Sequence, residues 1–347
     1  MKYIYITFIA FSLSSCQFLK LNNFVKNQKI TLKQSKTPFE LINNRIVLKD
    51  NVNFLLDIGA PNIIYANNVS QYKILDSVKI GKLINSTGKK VENKSFVIEN
   101  IDNNFFNIDN AVFRILPDKS FCMNEIGLIG CELFYDEIIM IDFENQIIRK
   151  LNNYTQEENQ YRELEVTDFD GYYFFIKIPI NGENISAKLD TGNPYDLLLK
   201  KKDFNKIKKE IYYSYFDKKG EIDTIYNTIA EFSNMKNSFV IKSNNYIKRN
   251  LLGVGFMKNY NWIIDYKKGK VFYEKINNSE IKIYKNRTII KNNNLIFYQT
   301  DNQSNIMDLG KTIISVNNQE INSKNICSFK NQLNTNNEWD NLQIKYK

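Results

Sequence analysis

Two short segments end an apolar run in an aspartate and follow it within two residues by glycine: Phe54-Leu55-Leu56-Asp57-Ile58-Gly59-Ala60-Pro61 and Ser186-Ala187-Lys188-Leu189-Asp190-Thr191-Gly192-Asn193-Pro194. Each places a carboxylate at a tight turn where glycine permits close backbone approach. Two such turns brought face to face would hold both carboxylates at one water molecule. Like charges that close cannot both ionise cheaply, so the pair shares a proton and offers a base and an acid together. One carboxylate can then deprotonate the water attacking an amide while the other donates to the developing oxyanion, with no metal or cofactor required. Asp57 and Asp190 are the catalytic candidates, and Gly59 and Gly192 allow their turns.

The remaining composition narrows the chemistry further. The 347 residues contain no histidine, which removes Ser-His-Asp and Cys-His triads and histidine-rich zinc sites. The net charge is +9, but the lysines are scattered among asparagines and isoleucines and form no stripe with interleaved aromatics, so no nucleic-acid partner is expected. Hydrophobic residues make up 43% and aromatics 14%, which fits a folded chain of two or three domains.

An internal repeat must position the aspartates. The first copy continues with Leu128-Ile129-Gly130 and Ile141-Asp142-Phe143, the second with Leu251-Leu252-Gly253 and Ile264-Asp265-Tyr266. Both downstream landmarks recur 123 residues apart and the aspartate-glycine turns 133 apart, so the units differ by ten residues of loop. Their boundary falls near Tyr154–Tyr161. Short runs rich in β-branched and aromatic residues, bounded by Asn, Asp or Gly, read as strands; short helices are expected at Asn67–Tyr72, Lys201–Lys209 and Phe256–Tyr260. Asp142 and Asp265 read as turn residues at strand ends and stay outside the site. Hairpin turns are read at Asn85–Lys89 and Phe216–Gly220.

The doubled Asp-x-Gly, each copy with its downstream apolar-apolar-Gly, resembles tandem copies of the retroviral-type aspartic protease fold found in bacterial aspartyl-protease-like lipoproteins. The resemblance covers roughly Val47 to Lys275. It implies an aspartic-type endopeptidase acting on an extended peptide in the cleft between two lobes, with Thr191 supporting the dyad and the two hairpins as flaps. Ile58 departs from the family's threonine or serine, whose hydrogen bonds across the lobes keep the aspartates coplanar. The isoleucine side chain can neither donate nor accept, which leaves Thr191 to find a backbone group. A second reading therefore stands beside the first: a catalytically inactive lipoprotein that binds peptides or envelope components.

The flanks complete the expected organisation. Met1–Cys16 has a basic residue, an apolar run and Leu13-Ser14-Ser15-Cys16, which reads as a secretory signal and resembles a lipobox with Cys16 as the lipidated residue. This implies a monomer in the cell envelope, bound to the membrane by its anchor. Cys122, Cys131 and Cys327 remain; Cys122 and Cys131 could bridge a loop or stay as free thiols, and no disulfide is assigned. The stretch Ile306–Ile321 resembles a bacterial PDZ segment, with Cys327–Leu333 as its helix and Leu342–Tyr346 as its last strand. The expected architecture is mainly β: signal peptide 1–16, tether 17–37, retropepsin-like lobes 38–155 and 156–280, and a small PDZ-like domain 281–347.

Overall fold

Strand Asn53–Asp57 is apolar at Phe54, Leu55 and Leu56, all buried, because the strand is covered on both faces. It runs antiparallel to Ile46–Leu48 and parallel to Glu125–Gly130, which is flanked on its other edge by antiparallel Ile63–Tyr65. The apolar-apolar-Gly strand is thus inserted between the strand that ends in Asp57 and the strand that leaves its turn. The second unit repeats this arrangement: Glu183–Leu189 runs parallel to Leu251–Leu252, whose other neighbour is antiparallel Leu197–Leu199. Each unit adds a long hairpin, Ile74–Ile84 with Lys90–Asp102 in lobe 1 and Glu210–Phe216 with Ile222–Phe232 in lobe 2.

This computed structural model describes residues 19–33, 36–49, 53–84, 90–102, 106–116, 122, 125–154, 160–207, 210–216, 220–232, 235–243, 245, 247–276, 286–336 and 338–347. The signal segment with Cys16, the turn Asn85–Lys89 and Asp217–Lys219 of the second turn lie outside the described residues.

The lobes share a six-stranded sheet. Its centre is the antiparallel pair Ile138–Asp142 and Tyr260–Asp265, with Ile138 opposite Asp265 and Met140 opposite Ile263. These are the two downstream repeat landmarks, so the duplication meets itself about a near-twofold axis. Asp142 accepts from Asn145 N–H at 2.9 Å, and Asp265 from Lys267 N–H at 2.8 Å and Lys268 N–H at 2.9 Å. Both cap strand-end turns. The short helices appear as Ala66–Gln71, Lys201–Phe204 and Val254–Met257, the last starting two residues earlier than expected because Gly253 opens it.

Two features differ from the sequence reading or complete it. Much of the expected tether is structured: 19–27 is helical, its Leu21 and Val25 pack on Val78, Val97 and Val112, and Lys29–Leu32 pairs with strand Phe106–Leu116. The one-turn spacing of Leu21 and Val25 is the apolar signal that the segment's polar composition hides. Cysteine pairing was left unassigned, and the structure joins Cys122 to Cys327, 205 residues apart with Cα atoms at 5.3 Å, while Cys131 is a buried free thiol donating to the Ala60 carbonyl at 3.2 Å. Nearness in sequence did not select the partner, because Cys131 is committed to the turn behind Asp57.

The C-terminal module comprises strands Arg287–Lys291, Asn294–Thr300, Thr312–Val316, Gln319–Glu320 and Ile344–Tyr346 with helix Ile326–Thr335. It has its own apolar cluster around Phe297, Leu333 and Trp339. The module docks on lobe 2 through Ser214 opposite Thr300 and Tyr215 opposite Gln299, and on lobe 1 through the disulfide. At the lobe 2 junction the Lys242 ammonium donates to the Tyr195 hydroxyl at 3.3 Å and to Tyr298 of the module, and lies 3.9 Å from the Tyr215 ring centre. Burial is the largest influence on the Tyr195 hydroxyl and raises its pKa, but the Lys242 and Arg287 charges and the hydrogen bonds with Tyr298 and Lys242 together outweigh it, and the net direction is down.

Candidate active site

The two aspartate turns close on each other. An added Cβ at Gly59 would sit 2.3 Å from Asp190 Cγ, and one at Gly192 would sit 2.2 Å from Asp57 Oδ2. Each carboxylate therefore rests against the glycine of the opposite turn, where any side chain would displace it. This is the requirement that places glycine at both positions. Gly59 N–H donates to Asp57 Oδ1 at 3.0 Å, and Asn193 N–H to Asp190 Oδ1 at 3.1 Å, so backbone amides fix each carboxylate's orientation.

Beneath the carboxylates, Thr191 is fully buried and its hydroxyl works in both directions across the lobes. It accepts from Ile58 N–H at 3.0 Å and donates to the Leu56 carbonyl at 2.9 Å. Thr191 has found the backbone partners expected for it once the reciprocal hydroxyl is missing. Ile58, 2% exposed, turns its side chain into the apolar core and contributes only its backbone to this bridge.

Electrostatics follow from the contact. Asp190 is shifted from the ordinary carboxylate value of 3.8 up to about 8, first by burial, then by the Asp57 charge and the hydrogen bond with Asp57; the Lys188 ammonium and Gly192 N–H pull the other way. Across the weakly acidic and neutral range the pair thus carries one proton and one negative charge, the state that acid-base work on a shared water needs. Arg45, Leu55, Leu128 and Gly192 line the pocket that opens beside Asp57.

Further contacts brace the turns. In lobe 1, Arg114 and Glu132 form a buried bidentate pair at 2.5 and 2.6 Å; Glu132 also accepts from Asn62 N–H, and the Asn62 side chain accepts from Gly130 N–H at 2.7 Å. Between the lobes, Asn44 sits in a turn with Asn43 and Asn44 at positive φ, donates to the Pro194 carbonyl at 3.0 Å and accepts from Lys258 at 3.0 Å.

The structure brings together Asp57, Asp190, Thr191, Gly59 and Gly192, all the described residues that the sequence reading placed in the site. It adds Lys188, whose ammonium donates to the Gly59 carbonyl in the opposite lobe, and Arg45 at the pocket. The signal for Lys188 was available: it interrupts the apolar strand Ile185–Leu189 two residues before the aspartate, where the first copy has Leu55. Among the described residues, no group of three or more Cys, Asp or Glu side chains is arranged to hold a metal ion.

No protein-family model and no curated protein matches the chain. Among solved structures it is similar to conglutin gamma, a basic 7S globulin from lupine seeds, at 12% identity and TM-score 0.38 over 66% of this chain and 88% of that one. It is also similar to edgp, at 11% and 0.43 over 71% and 96%, and to basic 7S globulin from soybean, at 8% and 0.43 over 70% and 95%. The mainly β, two-lobed, aspartic-protease-like fold rests on the repeated strand insertion and the sheet the lobes share.

Proposed function

We propose that this chain is an aspartic-type endopeptidase that hydrolyses extended peptides between its lobes. The observation that carries this reading is the contact of the Asp57 and Asp190 carboxyls across the lobes, with the proton on the pair retained up to about pH 8. The ionised carboxyl removes a proton from water, whose oxygen bonds to the scissile carbonyl carbon; the protonated carboxyl passes its proton to the carbonyl oxygen. As the resulting diol collapses and the C–N bond breaks, the carboxyl now protonated gives its proton to the leaving nitrogen and the other carboxylate takes a proton from a diol hydroxyl, so the pair ends with one proton, as it began. Thr191 holds the turns level. The roles of the two aspartates belong to the pair, which titrates as a unit.

Around this activity the reading includes a lipid anchor at Cys16 in the cell envelope, a monomeric chain and a PDZ-like C-terminal module that accepts a peptide as an added strand. The second reading, a catalytically silent peptide or envelope-component binder, is favoured by one feature: Ile58 gives no hydroxyl to the cross-lobe bridge. A peptide library incubated from acid to neutral pH with the chain lacking residues 1–16, beside its Asp190→Asn variant, separates them. Cleavage that disappears in the variant supports the peptidase. No cleavage by folded parent protein rejects it for the binder.

A further inference from the structure

Lys188 is a lysine where a lysine is costly. It lies on strand Glu183–Leu189 and points to the same face as Asp190, two residues on, while Ile185, Ala187 and Leu189 are buried in the core. Only 7% of it is exposed. Burying an ammonium costs several kcal/mol unless hydrogen bonds, opposite charge or an aromatic face compensate. Here the compensation is specific: Nζ donates to the carbonyl of Gly59 in the other lobe and stands 4.0 Å from the centre of the Tyr173 ring.

Gly59 belongs to the lobe 1 turn whose neighbour Ile58 brings no hydroxyl. Thr191 ties lobe 2 to that turn through Ile58 N–H, on the upstream side of the glycine; Lys188 ties it through the Gly59 carbonyl, on the downstream side. We propose that Lys188 is a positioning residue of the aspartate pair: its ammonium supplies the second cross-lobe bridge that Ile58 cannot, and places a positive charge near the Asp190 carboxyl.

The charge has a definite consequence. Lys188 opposes the burial and the Asp57 repulsion that raise Asp190, so it holds the pair's upper titration step down. Among the described residues, the following titratable and charged groups stand near the two. Asp57 faces Asp190 from strand Asn53–Asp57; Arg45, just before strand Ile46–Leu48, and Tyr65 of strand Ile63–Tyr65 stand near Asp57, and Glu125 stands near Tyr65. On the far side of Lys188 lie the Cys131 thiol, the Tyr173 hydroxyl and the Arg114–Glu132 pair; burial keeps both the thiol and the hydroxyl neutral, and the ion pair cancels its own charge. Lys188 is thus a cation through which strand Glu183–Leu189 biases the shared proton.

This inference rests on the paired-aspartate reading, and its test does not need turnover. The chain lacking residues 1–16, labelled with ¹³C at the aspartate carboxyls, is titrated by NMR as parent, Lys188→Met and Lys188→Gln. Glutamine retains a donor for Gly59 without the charge, which separates the bridge from the electrostatics and guards against a methionine variant that fails to fold. The expected result is an upper midpoint about one pH unit higher in the neutral variants, with the thermal midpoint lowered in Lys188→Met and largely recovered in Lys188→Gln. If the protein cleaves peptides, the alkaline limb of its pH profile moves up with the midpoint. An unchanged midpoint in Lys188→Gln overturns the electrostatic role, and a Lys188→Met protein as stable as the parent overturns the bridge. Parent carboxyls that both titrate near 4 would instead reject the aspartate pair itself, a result distinguishable from either.

Discussion

Replacing Asp190 by asparagine should make this protein more stable at neutral pH and leave it nearly unchanged in acid. In the unfolded chain the Asp190 carboxyl ionises near 3.8, whereas in the folded protein it keeps its proton until about 8. Between those values the unfolded state binds fewer protons than the folded one, so stability falls as pH rises through the window and levels off above it. At pH 7 the gap is about three units, worth about 4 kcal/mol at about 1.4 per unit. Asp190 is only half-buried and the proton is shared with Asp57, which reduces the expected effect to about 2 kcal/mol. Asparagine keeps the oxygen that accepts from Asn193 N–H and carries no charge to bury. At about 2–4 °C per kcal/mol, the Asp190→Asn midpoint should rise by about 4–8 °C at pH 7 and by about 1 °C or less at pH 4. Differential scanning calorimetry of both proteins at the two pH values measures this whether or not any peptide is cleaved. Equal stabilisation at both pH values, or a larger gain in acid, would refute the shared-proton reasoning.

Thr191→Val keeps the shape but leaves Ile58 N–H and the Leu56 carbonyl without their buried partner, a loss of about 2–4 kcal/mol that denaturant unfolding should show with an unchanged m-value. Gly192→Ala puts a methyl group into the Asp57 carboxylate; the pair should separate, Asp190 should titrate toward the ordinary range by NMR, and any peptide cleavage should fall at least about 100-fold. Cys327→Ser frees a 205-residue loop, which chain entropy values at up to about 5 kcal/mol, so its thermal midpoint should drop and become insensitive to added reductant, unlike the parent's.

The parts of this protein legible in its sequence are those that local chemistry dictates. An apolar strand must end before an Asp-x-Gly turn, and the partner strand must be apolar to lie beside it and close with glycine. Asp190-Thr191-Gly192 with Leu251-Leu252-Gly253, and Asp57-Ile58-Gly59 with Leu128-Ile129-Gly130, therefore show the duplicated lobe and its carboxylates in the order of residues alone. The missing hydroxyl at Ile58 is equally plain, because side-chain chemistry at one position needs no tertiary context. The helix at 19–27 was hidden, since Leu21, Phe24 and Val25 are interspersed with Lys and Asn over a short stretch and its stability comes from packing on Val78, Val97 and Val112. Contacts between distant segments were decided by the fold: Cys122 chose Cys327 over Cys131, Lys188 reached a carbonyl 129 residues away, and Asp190 acquired its raised pKa through burial and the Asp57 charge brought against it. Periodicity and turn chemistry act within a few residues along the chain, whereas charge, thiol pairing and proton sharing depend on distance in space, which only the packing of one lobe against the other determines.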